Sequence, residues 1–247
     1  MVKYLEDLGR FVQLLGSMFS KPEKFSMYWK ETLRQMNDIG IGSLTIVMLI
    51  ALFIGAVSAV QFAYQLAGQP IEPWYIGYVV RDMMIIEFAP TLTCLVLAGK
   101  VGSNMASELG GMRQKEQIDA LEIMGVNTSA YLIGPKIIAA LLMIPLLVIF
   151  AAVLGIIGGY IFSMYSSYLT PADYEYGLMQ YALPKNINLM MLKAIVFAFI
   201  LSSVSCYKGF MVKGGSIELG KASTQAVVVS NILILVFDFL IAAMFMY

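Results

Sequence analysis

ELGGMRQKEQIDALEIMGV, residues 108–126, is the stretch on which the reading of the whole chain turns. It is charge-rich, built of helix formers, and set between two very apolar blocks. Arg113, Gln114, Lys115, Glu116 and Gln117 are polar in succession, and Ile118, Leu121 and Met124 then recur close to one face of a helix. Its length and mixed charge fit a surface helix that docks in a groove of another protein. Ile118, Leu121 and Met124 are its apolar anchors, and Glu108, Arg113, Glu116, Asp119 and Glu122 supply specificity. The plainer alternative is an ordinary connecting helix.

The flanking blocks decide the class. Of 247 residues 60% are hydrophobic and 13% charged, with a mean hydropathy of +0.79, more apolar surface than a soluble domain of this size carries. No charged residue falls between Asp38 and Glu72, or between Lys136 and Asp173. Uncharged apolar runs longer than about 18 residues read as membrane spans. The expected fold is therefore an all-α integral membrane protein with five transmembrane helices, at about 39–64, 80–101, 137–168, 187–207 and 222–246. The polar helix, about 106–126, lies between the second and third. Residues 1–38 form an N-terminal amphipathic interfacial segment and 39–247 the membrane domain.

In that segment Leu5, Leu8, Val12, Leu15 and Phe19 share a face, Pro22 breaks the pattern, and a second piece places Phe25, Trp29, Leu33 and Met36 together. The start, MVKYLEDLGRF, has acids at Glu6 and Asp7 and does not read as a cleavable signal peptide. The Gly155/Gly159 pair has a small-xxx-small spacing that lets helices approach closely. TPADYEYGLMQYALPKN, from Thr170, reads as a loop.

Lys and Arg orient the chain. Six fall in the first 38 residues, four in 100–136 and three after the fourth span, against one each in the two remaining loops, Arg81 and Lys185. Thirteen against two puts the N-terminus and the polar helix in the cytoplasm and the C-terminus outside.

Other chemistry is largely excluded. The net charge of zero argues against nucleic acid. With no histidine there is no His-ligated metal or His base, and Cys94 and Cys206 read as packing residues. GSIELGKA, from Gly215, nearly spells a phosphate-binding loop, but Ala222 stands where a magnesium-binding Ser or Thr is needed. Any ATP is therefore handled by another chain. Asn127-Thr128-Ser129 spells a sequon on the cytoplasmic side, out of reach of glycosylation.

Three charges remain inside the spans: Glu87, Lys193 and Asp238. Each costs roughly 2.5–3.5 kcal/mol at the bilayer centre if unpaired. All three fall in the outer half of the membrane; Asp238, nine residues from the C-terminus, is about 14 Å along its helix. They either pair to fix helix packing or rim a polar-mouthed lipid cavity.

The run EFAPTLTCLVLAGKVGSNMASELGGMRQKEQIDALEIMGVNTSAYLIGPK, residues 87–136, closely resembles the signature of MlaE/YrbE-type permeases, the membrane subunits of ABC transporters that work with MCE-domain proteins. Gly220, Ala222, Thr224, Ser230 and Asp238 are similar to that family's last-span pattern, and Lys193 to a lysine of its fourth span. Departures are Ile86 for an arginine, Ala89 for a glycine, Lys100 and Lys136 for arginines, and Thr128 for a proline. The loss at Ile86 removes a possible ion partner of Glu87 and leaves Lys193 as one candidate to replace it.

The resemblance implies a permease subunit in the bacterial inner membrane, moving phospholipid or a related lipid between inner and outer membranes. It implies a homodimer, a cytoplasmic ABC ATPase dimer that carries the ATP and Mg, a periplasmic MCE-domain protein (usually a hexamer), and in some systems a STAS-domain protein. No cofactor is expected on this chain, and no catalytic residue. The coupling surface it implies is Glu108, Met112, Arg113, Glu116, Gln117, Ile118, Asp119, Leu121 and Met124. The lipid-cavity candidates are Glu87, Lys193 and Asp238. The competing classes are a secondary transporter driven by an ion gradient through the intramembrane carboxylates, and a membrane-embedded lipid enzyme. The first lacks an internal repeat and the second a catalytic set.

Overall fold

The computed structural model describes residues 2–18, 25–181 and 183–246. All regular structure among them is helical: α1 (Val2–Ser17), α2 (Phe25–Leu66), α3 (Trp74–Gln114), α4 (Gln117–Ile123), α5 (Ser129–Tyr165), α6 (Pro171–Met179), α7 (Pro184–Phe210) and α8 (Ser216–Met246). Helices α2, α3, α5, α7 and α8 are the five long and apolar enough to cross a membrane. The chain is a multi-pass membrane protein. Helices α1 and α4 lie at one end of the bundle and α6 at the other.

The boundaries differ from expectation in three places. First, the second amphipathic piece is not separate from the first span: α2 runs 42 residues, about 63 Å, which exceeds the ~30 Å hydrocarbon layer. No proline or glycine interrupts residues 25–39, and Thr32, Gln35 and Ile39 are buried while Trp29 and Leu33 stay exposed. Second, α1 packs on Phe11, Leu14, Leu15 and Met18, with the Phe11 ring edge-on to Tyr207 at 5.4 Å. Val12, expected on the apolar face, is exposed. Phe19 and Pro22 lie outside the described residues, as do the side chains of Leu5, Leu8 and Phe25. Third, the expected loop after α5 contains α6. Thr170 caps it by accepting from the Asp173 amide at 3.2 Å, and Pro171 occupies its first turn.

Glycine sets the helix spacing. A Cβ on Gly55 would overlap the Gly155 backbone, and one on Gly158 the Leu52 carbonyl, so α2 and α5 touch main chain to main chain. Gly159, paired with Gly155 in the sequence reading, instead makes room for the buried Tyr174 ring, whose hydroxyl donates to the Ile156 carbonyl at 3.0 Å. Gly77 and Gly177 bring α3 and α6 into similar contact. The C-terminal carbonyls of α6 are then gathered by buried Arg81, which donates to Leu178 at 2.6 Å and Gln180 at 2.8 Å and pairs with Asp82 at 2.8 Å.

Candidate functional site

Two constructions stand out, and both are carried by α3. Near the α6 end, α3 widens into a π-helical segment over Met84–Leu92 that contains Pro90. A proline has no amide to donate and its ring crowds the preceding turn; a wider turn relieves that clash. Glu87 lies in this segment. Its Oε2 receives the Lys193 ammonium of α7 at 2.7 Å, and the same ammonium meets Asp238 Oδ1 of α8 at 2.6 Å. The three intramembrane charges are therefore one cluster joining α3, α7 and α8. Lys193 is 0% exposed, Asp238 is buried, and Glu87 keeps 39% of its side chain open. With Ile86 in place of an arginine, Lys193 is the base that serves Glu87.

Glu87 and Ile86 also line a cleft of about 370 Å³ with Tyr75, Tyr78, Val79, Asp82 and Met83. Its wall is largely apolar, and its two carboxylates are each held by a base, Asp82 by Arg81 and Glu87 by Lys193. A cavity of that character accepts an apolar chain and fixes a polar end. Pairing and cavity lining, alternatives in the sequence, meet in Glu87.

At the other end the segment 108–126 is not one continuous helix. It is the end of α3, a corner, and α4. Glu116 turns the corner with φ 56°, the left-handed region that side chains rarely adopt. Gly125 (φ 79°) closes α4: its amide donates to Glu122 at 3.0 Å and that of Val126 to Leu121 at 3.1 Å, the doubly bonded end that a left-handed glycine permits. Arg113 staples the corner. It bonds Asp119 at 2.7 Å, lies 3.7 Å from Glu122, and stacks its guanidinium 5.8 Å over the Phe210 ring.

This geometry redistributes the residues expected on the docking face. Ile118 is fully buried, and Leu121 and Met112 are half-buried against the core, so these three anchor the corner to its own bundle. Asp119 and Arg113 are occupied with each other. Glu108 ion-pairs with buried Lys136, joining α3 to α5. Glu116, Gln117 and Met124 (68% exposed) do face outward, and beside Met124 stands Ile123 at 88%, which the sequence reading missed. Its signal was present: it is the apolar residue in the last turn before Gly125. Asn127 of the sequon is a joint, its amide donating to Ser17 of α1 at 2.8 Å and its carbonyl oxygen accepting from Ala130 at 3.2 Å. The near P-loop is the opening of α8, with Lys221 paired to Glu218 at 2.7 Å, so its amides serve a helix and not a phosphate cradle.

Known proteins resemble the chain over most of its length. The profile described as "Permease MlaE" matches residues 32–244. A "Probable ABC transporter permease protein" of Rickettsia bellii is 34% identical over 99% of this chain and 94% of its own length. The "Intermembrane phospholipid transport system permease protein MlaE" of Haemophilus influenzae is 27% identical over 98% and 93%. "Protein TRIGALACTOSYLDIACYLGLYCEROL 1, chloroplastic" of Arabidopsis thaliana is 31% identical over 94% of this chain and 66% of its own. With its five membrane-length helices and a family match over most of its length, the chain belongs to the MlaE permease family.

Proposed function

We propose that this chain is the permease subunit of an ABC transporter that moves phospholipid, or a related lipid, between inner and outer membranes. The observation that carries the reading is that one helix, α3, holds Glu87 at the cleft and Arg113 at the corner. They are 26 positions apart, about 39 Å along a helix. The printed name of the Haemophilus influenzae relative supports phospholipid as the substrate.

In this reading the chain is a homodimer with no catalytic chemistry of its own. Two ATPase subunits dock on Glu116, Gln117, Ile123 and Met124 and hold the ATP and Mg. Their closure displaces a corner that Arg113 and Ile118 make rigid. The motion runs along α3, repacks the helices around the Glu87–Lys193–Asp238 cluster, and narrows the cleft. The apolar wall holds acyl chains, and Glu87, its charge offset by Lys193 in the cluster with Asp238, meets the head group. A periplasmic MCE-domain protein, in hexameric form, receives or delivers the lipid, with a STAS-domain protein as an optional companion of the ATPase. The excess of Lys and Arg at the α1 end supports a cytoplasmic N-terminus and a periplasmic C-terminus for a chain in the bacterial inner membrane.

The test is reconstitution. Proteoliposomes holding this chain and its ATPase are mixed with the MCE-domain protein and fluorescent phospholipid. ATP-dependent transfer between vesicles and that protein is the expected result. Transfer that is indifferent to ATP but follows an imposed ion gradient overturns it.

A further inference from the structure

At the α1 end, between α1, the close of α7 and the start of α8, lies a second cleft, of about 390 Å³. Four cations line it: Arg10 from α1, Lys208 from α7, Lys213 from the connecting turn and Lys221 from α8. One carboxylate, Glu218, lines it too, and it is paired with Lys221. Among the described residues no carboxylate pairs with Arg10, Lys208 or Lys213. Three cations with no carboxylate partner among the described residues converge on one cavity and repel each other at a cost that an anion relieves.

The surroundings indicate what kind of anion. The cleft sits where amphipathic α1 packs on the bundle through Phe11 and Tyr207, the level at which such a helix meets the head groups. Gln225 on its rim begins a row down α8: Val228 and Ile232, three and seven residues on, are exposed and apolar. A cationic mouth above an apolar track fits a phosphate with acyl chains attached. Basic pockets between spans at the cytoplasmic side hold anionic lipid head groups in this manner.

We propose that this cleft binds the phosphate head group of an anionic phospholipid, separately from the transport cleft at Glu87. The bound lipid fastens α1 to α7 and α8. That it comes from the cytoplasmic leaflet rests on the orientation proposed above; the binding itself, measured in detergent, does not.

The full-length chain, purified in uncharged detergent and stripped of lipid, is titrated with phosphatidylglycerol and with phosphatidylcholine, with bound lipid counted by native mass spectrometry. Phosphatidylglycerol binding at least tenfold tighter is expected. R10Q/K208Q/K213Q is expected to weaken it by roughly a hundredfold, about fivefold per charge. Arg10 and Lys213 are exposed, so R10Q/K213Q keeps the fold and is expected to lose about 25-fold if the triple variant does not fold. Inorganic phosphate at matching concentration leaves the lipid in place. Equal affinity for the two lipids, or full binding by R10Q/K213Q, overturns the proposal. So does displacement by inorganic phosphate, which assigns the site to a soluble anion. Loss of the ATPase with lipid binding unchanged assigns it to a protein contact.

Discussion

Replacing Lys193 with methionine removes the cation that the two intramembrane carboxylates share. The ammonium is fully buried, 2.7 Å from Glu87 and 2.6 Å from Asp238. Breaking a buried pair by deleting one partner costs about 3–5 kcal/mol, because the remaining charge has nothing to compensate it. For a chain of this length 1 kcal/mol corresponds to about 2–4 °C in melting midpoint, so K193M is expected to melt about 6–20 °C below wild type. The assay is fluorescence-detected size-exclusion after heating in detergent, at fixed protein and lipid concentration. The control is E87Q/K193M/D238N, in which no unpaired charge remains. An apolar or neutral replacement of a whole buried ion group is often neutral to stability. The triple variant is therefore expected to recover most of the loss while transporting no lipid. A shift under about 2 °C for K193M, or a triple variant less stable than K193M, refutes the reasoning that the cluster is electrostatically closed.

The corner gives a paired contrast: I123D/M124D is expected to melt with wild type yet lose at least tenfold in ATPase copurification, whereas I118D, in the bundle interior, is expected to unfold. Glu116→Gly removes a side chain from a left-handed position that costs roughly 1–2 kcal/mol for an L-residue, and is expected to raise the melting midpoint by a few degrees. Arg81→Ala orphans the carbonyls of Leu178, Gln180 and Tyr181 and is expected to open α6 to limited proteolysis before the rest of the chain, read by mass of the first fragments. Gly158→Val places a branched side chain on the Leu52 carbonyl and is expected to abolish the folded monodisperse peak.

The five spans were legible because a bilayer leaves so few options: a charge-free apolar run must be a helix through it or be buried. The triad was legible as three charges at similar depth, since such charges are tolerated only when paired or functional. Which partner each would choose was not, because the wide turn around Pro90 resets the rotation of α3 and period counting assumes 3.6 residues per turn. The corner escaped for a related reason. Nothing in Lys115-Glu116 spells a break; Glu116 is held left-handed by the tertiary staple of Arg113 on Asp119 and Phe210. That break sets the rotation of α4 so that Ile118 and Leu121 turn onto the bundle while Ile123 and Met124 face out, splitting the face of Ile118, Leu121 and Met124 read from the sequence. The Thr170-Pro171-Ala172-Asp173 start of α6, by contrast, carries its capping signal in plain view, a cap residue followed by proline in the first turn.

The central claim is that α3 transmits motion from the corner to the cleft. The direct test places a spin label at Tyr75, on the cleft wall, in a chain whose two buried cysteines are replaced (C94A/C206A/Y75C). In the reconstituted complex, the proposed homodimer gives one label-to-label distance, measured by pulsed electron resonance with and without ATP trapping of the ATPase. The account predicts a shift in that distance on trapping, and no shift when I123D/M124D is added. An unmoved distance in the wild-type background, or a shift that survives the corner substitutions, contradicts it.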